Sequence, residues 1–94
     1  MRIDLVYPTL PPVLNGIGDY TAHMARALAQ KGVGVRVLTD KSCTLAIPDV
    51  EVVPAFSVVP RSGVRDLVER VEADPPEWLV LQFEQFSYGR WGLN

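Results

Sequence analysis

Gly16 and Gly18 bracket Ile17 just ahead of a run of good helix formers and just after a loop with prolines at positions 8, 11 and 12. Glycines at this spacing let a ligand come close to the main chain. A helix starting there offers unpaired N–H groups and the positive end of its dipole. The chemistry this suits is the holding of an anion, a phosphate or diphosphate above all. A second candidate, Glu84, comes late in the chain, after the apolar run of residues 78–83. Glu84 falls just past that run and is suited either to bind a substrate hydroxyl, to serve as a base, or simply to be solvated in a loop. Phe86, Tyr88 and Trp91 suit stacking on a sugar face or packing against further protein, and the second is the preferred reading.

These residues need elements to position them. Residues 3–7 form a short apolar run that suits a buried parallel strand, interrupted only by Asp4. Helix formers run from Asp19 to Lys31, with Gly32 at the expected C-terminal turn. Ile17, Tyr20, Met24 and Leu28 fall at helical spacing as a buried stripe, and Ala25 and Ala27 allow close packing on a sheet. Residues 33–39 alternate as a second strand ending at Asp40, and residues 50–53 form a third, bracketed by Pro48 and Pro54. Ser62 is a candidate N-cap for a second helix whose apolar positions are Val64, Leu67, Val68 and Val71, stopped at Pro75 and Pro76. Residues 78–83 read as a fourth strand. The order strand–helix–strand–strand–helix–strand predicts a doubly wound α/β, Rossmann-like parallel sheet with flanking helices. Such a sheet reverses its strand order between the first and fourth strands and binds ligands at their carboxyl ends. The glycine segment and the stretch after Phe83 both emerge at that rim.

Composition narrows the function classes. Nine Lys and Arg stand against eleven Asp and Glu, for a net charge of −2. With the basic residues scattered, nucleic acid is a poor partner. No segment approaches the ~18 apolar residues of a membrane span, and the first apolar run is too short for a signal peptide. The single Cys43 gives neither an internal disulfide nor a metal set, and its one basic neighbour, Lys41, does not mark it as a reactive thiol. These features fit a cytoplasmic protein. His23 reads as a surface or half-buried histidine and Asp40 as a strand-end turn residue. A dinucleotide-binding reading would use Gly16, Gly18 and a ribose-binding Asp40. Against it stand the long loop after Tyr7, its three prolines, and Thr21 at the third glycine position.

The segments Asn15-Gly16-Ile17-Gly18-Asp19-Tyr20-Thr21, Ala27-Leu28-Ala29 followed by Gly32-Val33, and the run from Leu79 to Gly89 together resemble the N-terminal domain of a GT-B glycosyltransferase. The similarity is to the retaining, nucleotide-sugar-dependent group of family 4 type. It covers nearly the whole chain. Asn15 stands where that family often has glycine, and an asparagine tolerates the left-handed backbone such a turn can require. Asp19 partly offsets the pull of the helix start on an anion.

The resemblance implies a partial N-terminal domain over residues 1–94, the first half of the acceptor-side Rossmann-like unit, with the donor-binding C-terminal domain lying outside this chain. It implies a parent hexosyltransferase that moves a sugar from a nucleoside-diphosphate sugar to a hydroxyl acceptor, without metal or other cofactor, and a chain inactive alone. Asn15, Gly16, Ile17 and Gly18 would face the donor diphosphate. Gln82, Glu84, Phe86, Ser87, Tyr88 and Arg90 would line the acceptor side. The competing expectation is a non-catalytic half-domain that self-associates or docks on a partner through an exposed sheet edge.

Overall fold

The alternation at the start of the chain builds the centre of the sheet. In a computed structural model, which describes residues 1–13, 15–57 and 63–82, strand β1 (Arg2–Val6) lies between β2 (Gly34–Asp40) and β4 (Trp78–Leu81). Strand β3 (Glu51–Phe56) pairs with the far side of β2, and all pairings are parallel in the order β3-β2-β1-β4. Helix α1 (Gly16–Gln30) joins β1 to β2, and α2 (Gly63–Ala73) joins β3 to β4. The protein is thus α/β with a Rossmann-like parallel sheet. Among the described residues, no helix is long and apolar enough to cross a membrane.

Strand periodicity divides the core into two faces. Leu5, Val35 and Val37 meet Ala25, Met24 and Leu28 of α1, whereas Val6, Leu38, Val53 and Ala55 meet Leu67 and Val71 of α2. The polar interruption Asp4 lies on the α2 face, directly across from Arg36 in the β1–β2 register. Both are buried. Arg36 Nε donates to Asp4 Oδ1 at 3.1 Å and Nη2 to Oδ2 at 2.5 Å, a two-point grip that keeps the guanidinium proton bound more firmly than usual. Arg36 Nη2 also donates to the carbonyl of Asp74 at 2.9 Å, and Arg2 donates to the same carbonyl. Two cations therefore close the carboxyl end of α2, where its dipole is negative.

Several local expectations are corrected. Helix α1 begins at Gly16 rather than Asp19, because Asn15 supplies the cap. Of its expected stripe, Ile17, Met24 and Leu28 pack half-buried on the core, but the fully buried positions are Gly18, Thr21 and Ala25, while Tyr20 is 60 % exposed and Ala27 is also exposed. Burying the smaller residues brings the helix closer to the sheet and turns the tyrosine outward. Pro54 lies inside β3 rather than ending it, since an edge strand tolerates a missing donor on its open side. On α2, Leu67 and Val71 pack on the core but Val64 and Val68 remain exposed. The Ser62 cap and Phe83 lie outside the described residues. Gly32 takes φ +85°, the left-handed turn expected of it.

Candidate functional site

The carboxyl rim of the sheet is built outward from Tyr7, the fully buried residue after β1. Its hydroxyl donates to Asn15 Oδ1 at 3.2 Å, and the same oxygen accepts from Gly18 N at 2.9 Å. Asn15 is extended, with φ −160° and ψ 121°, so its role is that of an N-cap rather than of a left-handed turn residue. The asparagine is kept in place from the strand below and holds the first turn of α1 from above. Replacing Asn15 with alanine is expected to cost about 1 kcal/mol, read as a lowered midpoint in urea unfolding.

The cap sorts the first-turn amides. Gly18 N is engaged by Asn15 Oδ1, and Asp19 N donates to Asn15 O at 2.9 Å. The Gly16 and Ile17 amides precede any helical acceptor and remain the pair available to an anion. The two glycines differ in the same way. A Cβ on Gly18 would lie 2.1 Å from the carbonyl oxygen of Thr9, so packing of α1 on the β1–α1 loop requires glycine there. A Cβ on Gly16 would meet nothing within 4 Å, and that residue is exposed. Gly16 is open to a ligand, whereas Gly18 is filled by its own chain.

Gln82 reaches the same rim. Its amide donates to Val6 O at 3.0 Å, one residue before the tyrosine that orients Asn15. Glu84, Phe86, Ser87, Tyr88 and Arg90 lie outside the described residues. Asp40 is a turn residue, as its position at the end of β2 suggested: Oδ1 accepts from Ser42 N at 2.9 Å and Ser42 Oγ at 2.7 Å. His23 is exposed. Among the described residues no cluster of three His, Cys, Asp or Glu could hold a metal. What sequence reasoning missed is Tyr7 as the support of Asn15 and Arg36 as the partner of Asp4. Both depend on contacts between elements, and only the alternation of β1 and β2 hinted at the second.

The rim therefore presents two first-turn amides outside the cap, of exposed Gly16 and half-buried Ile17, beside an asparagine supported by Tyr7, at the point where strand order reverses about β1. Comparison with protein-family models, with curated proteins and with solved structures finds no match.

Proposed function

We propose that this chain is the acceptor-side unit of a glycosyltransferase that transfers a sugar from a nucleoside-diphosphate donor to a hydroxyl acceptor. The observation that carries the reading is the Asn15-capped start of α1, which leaves the amides of exposed Gly16 and half-buried Ile17 outside the cap near the switch point of the sheet. Such a helix start favours negative charge, and open doubly wound sheets bind ligands at this rim. The motif resemblance supplies the chemistry. In this reading the two amides approach the donor diphosphate, and Gln82 with Glu84, Phe86, Ser87, Tyr88 and Arg90 orients the acceptor. Their contribution is positional and electrostatic rather than covalent. Calorimetric titration with UDP, GDP, ADP and NAD tests it. Saturable heat with a nucleoside diphosphate is the expected result; saturation by NAD alone would replace this reading with a dinucleotide module.

The exposed β4 favours a second reading, a half-domain that pairs through its open edge. Trp78 is 64 % exposed and Leu81 55 %, with Leu79 and Val80 also exposed, so both faces of an apolar strand are bare. Parallel strands are ordinarily covered on both faces. Sedimentation should then show association that rises with concentration and is abolished by Trp78→Lys. A monomer at every concentration would remove this alternative.

A further inference from the structure

Helix α1 carries Asp19, His23 and Arg26 at i, i+4 and i+7, a spacing that sets all three along one side of the helix. Residues 45–48 run opposite them, and the space between is a groove of about 210 Å³. The core fixes that opposite wall. Ile47 is buried in the cluster on the α1 face, and Leu45 packs half-buried against the same cluster. Val50 N donates to Ile47 O at 3.1 Å, which closes a tight turn with Asp49 at φ 63°. One side of the groove is therefore apolar and anchored, and the other carries both signs of charge.

All three side chains on the helix are exposed, and among the described residues none of them makes a hydrogen bond or an ion pair. The Asp19 carboxylate and the Arg26 guanidinium are free for a ligand. Their positions lie two turns apart, about 10.5 Å along the axis, too far to pair as neighbours on the helix do. Two charge-assisted hydrogen bonds of about 2.8 Å would take up more than half of that separation. About 5 Å is left for the distance between the ligand's own charges. A free amino acid suits that span, whereas the ends of an extended tripeptide, about 10 Å apart, overshoot it. A ligand of a single sign would satisfy one of the two residues and be repelled by the other.

We infer that the groove binds a small aliphatic α-amino acid as its zwitterion. The ammonium donates to Asp19, the carboxylate accepts from Arg26 and from the His23 imidazole, and the side chain lies on residues 45–48. The groove is smaller than the ~300–1,000 Å³ of sites for drug-sized ligands, which fits a molecule of this size rather than a nucleotide. The assignment uses neither the Gly16 nor the Ile17 amide and does not rest on the diphosphate reading.

Titration followed by amide spectra tests it, with leucine, N-acetylleucine, leucinamide and glycine as probes. Leucine is expected to saturate at the lowest concentration, with shifts at residues 22–26 and 45–47. N-acetylleucine lacks the ammonium, leucinamide the carboxylate and glycine the side chain, so each should bind more weakly. Loss of one charge should cost about two- to fivefold in affinity, the range of a single exposed ion pair. Arg26→Gln should weaken leucine by a similar factor without weakening leucinamide. Asp19→Asn should weaken leucine without weakening N-acetylleucine. That crossed pattern separates direct contact from a general loosening of α1, which would weaken every probe alike. No saturation by leucine, equal affinity for leucine and leucinamide, or uniform weakening of all probes in either variant would each overturn the assignment. Failure at this groove is distinct from failure at the rim, because residues 45–47 report on the former and Gly16 and Ile17 on the latter.

Discussion

Asp4→Ala is expected to lower stability by about 3–5 kcal/mol, the usual consequence of removing one partner from a buried ion pair. The Asp4 side chain is fully buried and that of Arg36 is only 4 % exposed, so the abandoned guanidinium would find little water. Arg36 would keep the Asp74 carbonyl and, at 3.7 Å, the Asp74 carboxylate, but it would lose its buried two-point partner within the sheet. Native domains rest on about 5–15 kcal/mol, so this one change would take a large fraction of the total. The double variant Asp4→Leu, Arg36→Met should recover most of the loss, because two apolar side chains need no mutual neutralisation. Urea unfolding of the two variants measures both effects. A single variant within about 1 kcal/mol of the parent would contradict the ion pair between β1 and β2.

Gly18→Ala should destabilise by about 3 kcal/mol, because the added methyl must displace backbone rather than the end of a flexible side chain. The obstructing atoms are the carbonyl oxygen and carbon of Thr9, at 2.1 and 3.0 Å. Movement of that loop would also disturb Leu10, which is part of the core on the α1 face. Gly16→Ala should do the opposite. Its position is open and helical, so the substitution should be neutral or stabilising by up to about 1 kcal/mol, through a less flexible unfolded chain. Thermal melts of the two variants compare them directly. Equal destabilisation would mean that the two glycines share a single role instead of dividing packing from openness.

The architecture was legible because strand and helix periods are local properties. The runs around Leu5, Val37 and Val53 and the spacing of Met24 and Leu28 give the element order without reference to contacts, and the helices after the first and third strands point to parallel crossovers. Boundaries were less legible where a single side chain sets them. Asn15 moved the start of α1 because a cap depends on one oxygen held by Tyr7, eight residues earlier. Tyr20 pointed outward because close approach at Gly18 and Ala25 selects small residues for the contact. Val64 and Val68 have the correct period for burial, yet a period cannot say how wide a strip the sheet covers. Of the site, the glycine segment and Asp40 were visible as residue types. The division of labour between Gly16 and Gly18 was not, since it arises from the carbonyl of Thr9 in another part of the chain.

The functional reading turns on the Gly16 and Ile17 amides as an anion-holding start to α1. The most direct measurement is a map of backbone amide shifts during titration with UDP, repeated on Gly16→Ala. Shifts should concentrate at Gly16 and Ile17, with little change at the already capped Gly18, and binding should weaken in a variant that melts no lower than the parent. Shifts scattered over the surface, or centred away from the first turn of α1, would contradict it.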